Sequence, residues 1–200
     1  MNFGFQNKSV LVIVTWFAGF AVALGCSVRI GYIKPTNYEL VKGAHAVVLA
    51  EAVTFEKKEE FRDGRAATGT FEFKVLERIK GDYPERMLKV EGDTDHRTWG
   101  APDDFSYTKP DHGPCNPTDY KVGSKYVLLL NYHEYRGKGS WHVGGPPFTR
   151  VNVEVADAKA PWVEAVRRYA RVAALKNYEE EKKELGQVKA MAEKSEDGLS

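Results

Sequence analysis

An uncharged apolar run from Val10 to Leu24 ends in Ala23-Leu24-Gly25-Cys26-Ser27, and everything that reads as a folded domain lies downstream. The run is shorter than the ~20 residues a spanning helix needs, and Lys8 gives it a weakly positive lead, so residues 1–25 are expected to be a signal peptide. Ala23 and Gly25 put small side chains where a signal peptidase inspects the bond before Cys26. Cleavage there leaves Cys26 as the first mature residue, in an exported chain that folds in the periplasm or outside the cell, where thiols oxidise. The alternative for this segment is an uncleaved N-terminal membrane anchor.

Val22-Ala23-Leu24-Gly25-Cys26 also fits a permissive lipobox, with Ala23 where lipoproteins most often carry leucine. On that alternative the chain is a lipoprotein, lipid-anchored to the cell envelope through Cys26, with a structural or assembly role. Once the signal is removed, the chain meets a membrane only if Cys26 is lipidated.

Charge limits the partners. The chain carries 29 Lys and Arg against 28 Asp and Glu, and removal of Lys8 with the signal leaves 28 of each. A balanced chain lacks the net positive field that phosphate binding requires, so nucleic acid is excluded as the main partner.

From Cys26 the chain is expected to form one domain to residue 178, followed by a charged, partly helical or disordered tail over 179–200. Thr36 is placed to cap one or two helical turns that Gly43 ends. Ala46 to Phe55 is a β-rich run, and Glu56 to Ala67 a charged connection turning at Asp63-Gly64. Phe71, Phe73 and Val75 alternate with Glu72 and Lys74, as on a half-buried strand, and Met87 to Glu91 reads as its neighbour. Gly92 to Gly123 has almost no periodicity and contains Cys115; loops of that length are often functional or locally pinned. Lys125 to His133 is the strongest central strand. Gly137-Lys138-Gly139 turns the chain into Ser140–Val143, and Val151, Val153 and Val155 alternate in a last strand. From Trp162 the spacing becomes helical, to about Tyr178. The expectation is mainly β: a small Greek-key OB-type barrel of five or six strands, with a short N-terminal helix and a C-terminal helix.

With these pieces in order, the chain resembles the netrin-like domain of tissue inhibitors of metalloproteinases over about Cys26 to Leu175. The resemblance rests on Cys26 at the mature N-terminus and on His45-Ala46-Val47-Val48-Leu49-Ala50-Glu51-Ala52. Phe73-Lys74-Val75-Leu76-Glu77-Arg78-Ile79-Lys80-Gly81, and Cys115 through Gly123 to Tyr126-Val127-Leu128-Leu129, complete it. Family members usually open Cys-x-Cys. Here Val28 stands at the second cysteine, and Trp141-His142-Val143 stands where its partner normally lies, so both ends of one bridge are missing together.

The resemblance implies a disulfide between Cys26 and Cys115. It would close a loop of about 90 residues, worth roughly 4–5 kcal/mol by the chain-entropy argument. It also implies a non-enzymatic protein-binding module without cofactor, whose candidate partner is a zinc metalloproteinase. In that family the α-amine and carbonyl of the first cysteine chelate the catalytic zinc, and the next side chain enters the specificity pocket. Those roles fall to Cys26 and Ser27. Catalytic zinc keeps a coordination position open, and an α-amine of pKa near ~8 gives up its proton readily to a metal. The alternative is a structural bridge on a domain that inhibits nothing. Lipidation uses the same sulfur and blocks the same amine, so the two chemistries exclude each other.

Other candidates are weaker. Asp93, Asp95 and His96, with Asp103, Asp104, Asp111 and His112, lack any metal-ligand spacing and read as a solvated loop; no metal site is expected. His133-Glu134 opens like a zinc-protease helix but has no second histidine at the required distance. Ser106, Ser124 and Ser140 have no nucleophile-elbow context. Trp99, Phe105 and Tyr107 are an aromatic cluster that packing explains better than binding. The sequence sets no oligomeric state.

Overall fold

The computed structural model describes residues 31–60, 67–94, 118–146, 149, 152–175 and 177–197. Helix α1 (Asn37–Gly43) starts at Thr36 with a reciprocal cap. The Glu39 N–H donates to Thr36 Oγ1 at 3.3 Å, and the Thr36 N–H donates to the Glu39 carboxylate at 2.8 Å. Two orphan donors of the first turn are thereby satisfied. Gly43 is the last helical residue, but no left-handed glycine ends the helix. Ala44 is extended, and Lys80 Nζ reaches over to donate to the carbonyls of Lys42, at 2.7 Å, and Ala44.

Among the described residues six antiparallel strands follow: β1 (Ala46–Glu60), β2 (Ala67–Lys80), β3 (Met87–Asp93), β4 (Lys125–Tyr135), β5 (Lys138–Val143) and β6 (Asn152–Val155). Their order is β3-β2-β1-β4-β5, with β6 also on β4. One edge of β4 pairs with β1, and the other carries β6 and β5 end to end. Leu130 pairs with Val143 and Leu128 with Asn152, and between them the Gly144 N–H donates to the Leu129 carbonyl at 3.4 Å.

Alternation sorts β1 and β4 into two cores. Val47, Leu49, Val127, Leu129, Val153 and Val155 pack against Leu40 and Val41 of α1 and against Trp162, Val163 and Val166 of α2 (Pro161–Ala173). Ala46, Val48, Leu128 and Leu130 face the other way, onto Phe71, Phe73, Leu88, Val90, Tyr120 and Tyr126. Covered on both faces, Ala46–Ala50 and Tyr126–Leu130 are buried at every position.

The second core gathers residues from β3 and from β4, with Trp141 of β5 packed against it. Adjacent strands lie ≈ 4.8 Å apart, so in a flat sheet β3 and β5 would be separated by about 19 Å. The sheet therefore curls. At one end the rings of Tyr83 and Trp141 meet at 5.3 Å. At the other, Asp93 exchanges backbone hydrogen bonds of 3.0 Å with Thr118 and Tyr120, and Asn152 Nδ2 donates to the Asp119 carbonyl at 3.1 Å. Gly92 permits that approach: a Cβ there would lie 2.5 Å from the Thr118 carbonyl oxygen and 2.6 Å from the Tyr120 ring. Among the described strands, no ladder joins β3 to β5.

Three expectations change. The strand expected to stop at Phe55 runs on to Glu60. Its charged end is paired with Ala67–Thr70, and solvent on both sides removes the alternation that marks a strand. The β4–β5 turn is Arg136-Gly137, with φ of 52° and 72°, so Lys138 and Gly139 belong to β5. The C-terminal helix is two helices. Asn177 starts α3 (Tyr178–Asp197) by accepting the Glu179 N–H on its side chain at 2.9 Å. Arg167 ties α2 to β2 by a bidentate pair with Glu77, at 2.9 and 2.6 Å.

Candidate functional site

Cys26, Ser27 and Cys115 lie outside the described residues, as do Asp95, His96, Trp99, Asp103, Asp104, Phe105, Ser106, Tyr107, Asp111 and His112. Asp93 ends β3 with its backbone bonded to Thr118 and Tyr120. The Ser124 carbonyl accepts the Ala52 N–H at 3.0 Å, in the turn that feeds β4. Trp162 and Val166 are buried in the helix-side core, which leaves that face of α2 no role in binding a partner.

The arm entering α1 runs to the edge of a cleft of ≈ 160 Å³, lined by Pro35, Glu39 and Leu40 on one side and Asn131, Gly144 and Pro146 on the other. Asn131 organises it. Its Nδ2 donates to the Gly144 carbonyl at 2.6 Å, which turns Oδ1 toward His45 Nδ1 at 3.1 Å. The same imidazole nitrogen lies 3.3 Å from the Tyr132 backbone N–H, so its role follows its tautomer. These contacts join the start of β1, the middle of β4 and the exit of β5.

Beyond the cleft the β4–β5 hairpin extends into solvent. Positive φ at Arg136 and Gly137 gives the two-residue turn whose twist matches the flanking strands. The register sets Asn131 opposite His142, Tyr132 opposite Trp141 and His133 opposite Ser140. By alternation Asn131, His133, Tyr135, Lys138, Ser140 and His142 share the face that carries Leu129 and the helices. Tyr132 and Trp141 share the other, their rings 5.2 Å apart. On the first face the rings of His133 and His142 stand 5.7 Å apart, and Ser140 Oγ lies 2.7 Å from His142 Nε2. Arg136 sits over the Tyr135 ring at 5.2 Å, and Tyr135 is 71% exposed.

The Ser140–His142 contact has the length of a nucleophile–base pair. Both residues are exposed on a strand face, and neither lines a described cleft that could hold an acyl group away from water. Among the described residues no three His, Cys, Asp or Glu side chains converge as metal ligands, and Glu134 points away from His133. A second cleft, of ≈ 410 Å³, lies between α2 and α3, with charges of both signs from Arg168, Arg171, Lys183, Glu180 and Glu184.

The strongly perturbed groups are structural phenols. Burial pushes Tyr83 up to about 12, while its hydroxyl donates to the Met87 carbonyl at 2.9 Å. Burial also raises Tyr126, whose hydroxyl accepts the Lys121 N–H at 2.8 Å, and Tyr120 at the centre of the aromatic core. Uncharged phenols suit that interior.

No protein-family model and no curated protein matches the chain. Among the described residues no helix is long and apolar enough to cross a membrane.

Proposed function

We propose that this chain is an exported, non-enzymatic binding domain of netrin-like, OB-barrel type, whose mature N-terminus at Cys26 is bridged to Cys115 and engages a protein partner. One observation supports this reading above the others: the strand path. Three strands joined in sequence, with a fourth returning by a long connection to lie beside the first, give the order β4-β1-β2-β3 of a Greek key. The curl that brings Tyr83 to Trp141, and Asp93 to Thr118–Tyr120, favours a small barrel over a flat sheet. The exposed hairpin and the cleft at Pro35 offer such a domain a contact surface next to the arm from the N-terminus.

In this reading the Cys26 amine and carbonyl chelate the catalytic zinc of a metalloproteinase, and Ser27 enters its pocket. The bridge holds the amine in place and lowers the ordering cost of binding. The mature protein, titrated against a panel of zinc proteases, is expected to inhibit at least one, and acetylation of its N-terminus is expected to abolish the effect. Failure to inhibit any while the amine is free removes the inhibitor role. The lipobox-like Val22–Cys26 favours a second reading, an envelope lipoprotein acylated at Cys26. Thioether-linked lipid on that residue would establish it and forbid the first.

A further inference from the structure

The geometry points to a transition-metal site on the β4–β5 hairpin, with His133 and His142 as its two protein ligands. Zinc–imidazole bonds are ~2.0–2.1 Å, and a ring centre sits just over 1 Å behind its nitrogen, so two imidazoles on one tetrahedral ion stand with centroids about 5–5.5 Å apart. His133 and His142 stand at 5.7 Å, a few tenths of an ångström from that spacing. His142 Nε2 is engaged by Ser140 Oγ at 2.7 Å, and Ser140 is the cross-strand partner of His133, so a metal on that nitrogen takes the place of the hydroxyl, which rotates aside. Both imidazoles ride on a continuous ladder closed by a two-residue turn, so little ordering is left for the metal to impose.

The donor set selects the ion. Asn131, Tyr135, Lys138 and Ser140 share the face with the histidines, and none is a carboxylate. Imidazole without carboxylate suits Zn²⁺, Ni²⁺ or Cu²⁺ and not Mg²⁺ or Ca²⁺. Two protein ligands leave the remaining positions to water or to a donor from another molecule. The site does not depend on Cys26 or on the proposed inhibitor role.

Calorimetric titration of the mature protein with Zn²⁺, and separately with Ni²⁺, tests the assignment. One saturable equivalent is expected, accompanied by shifts of the His133 and His142 ring signals in NMR spectra. Outer-shell partners of bound metals are commonly worth ~10–100-fold in affinity, so His133→Ala and His142→Ala should each weaken binding by at least that range's lower end, about tenfold. Glu134→Gln, on the opposite face of the same strand, should leave it unchanged. Circular dichroism establishes that each variant is folded. The assignment is overturned if the wild-type protein shows no such equivalent or if only one of the two variants loses affinity. Retention of wild-type affinity by both would also overturn it, since the metal is then held elsewhere, for instance at the Cys26 amine.

Discussion

Strand β4 changes character at Leu130. Up to that residue Tyr126–Leu130 is buried on both faces, between the helix layer and the aromatic interior. Beyond it Tyr132–Tyr135 is exposed, and β5 alone continues the ladder there. Backbone pairing differs too: β1 and β6 flank the first half on both edges, while β5 alone pairs with the second. Burial sets the larger energetic contrast. At roughly 25 cal/mol per Å² of apolar surface, the first half carries the stability, and the second is free to present histidine, serine and tyrosine to other molecules.

Truncation should expose this contrast most strongly. Leu128→Ala removes a fully buried side chain and is expected to cost ~2–5 kcal/mol by urea denaturation, whereas Tyr135→Ala should stay within about 0.5 kcal/mol of wild type. Equal costs would erase the distinction. Gly92→Ala comes next, at ~1–3 kcal/mol, because the new methyl group meets the Thr118 carbonyl and the Tyr120 ring. Gly43→Ala, with open space around it in α1, should instead raise stability by roughly 0.5–1 kcal/mol. Thr36→Ala deletes the N-cap and should cost ~1 kcal/mol.

The smallest effect is electrostatic and peripheral. Hydrogen bonds from Thr36 hold Glu39 below the ordinary carboxylate value. Lys89, Lys58, Arg168 and Lys42 likewise lower Glu72, Glu91, Glu164 and Glu181. A carboxyl with a lowered folded-state pKa binds its proton less well in the native state than when unfolded. Its contribution is therefore complete above the unfolded value, near ~4.3, and is lost as pH falls through the folded value. Urea midpoints should be level from pH 7 to 5 and decline gently below pH 4. Because the pairs are exposed, 1 M salt should flatten the decline.

The buried half of β4 was legible in the sequence, and so was the alternation of Phe71 and Phe73, because a covered strand leaves a pattern of apolar residues. The exposed hairpin left none, and its site depended on register. A turn at Gly137-Lys138-Gly139 would set His133 opposite Val143, so His142 would leave its face. A turn at Arg136-Gly137 sets His133 opposite Ser140 and brings both histidines together. The sequence did contain a signal: Gly137 can take positive φ, and histidines at 133 and 142 lie at odd and even positions about a two-residue turn. His45 was hidden for another reason. Its neighbour Asn131 is 86 residues away, and only the β1–β4 pairing joins them. The break between α2 and α3 was equally obscured, since Asn177 caps a helix within a stretch that remains charged throughout.

The proposed export and bridging of Cys26 have the widest consequences, and intact mass of the purified mature protein before and after reduction tests them directly. The expected result is a chain beginning at Cys26 that gains about two mass units on reduction, as the Cys26–Cys115 bond opens. A mass already several hundred units above that of the mature chain, or one corresponding to a chain that still begins at Met1, would contradict it.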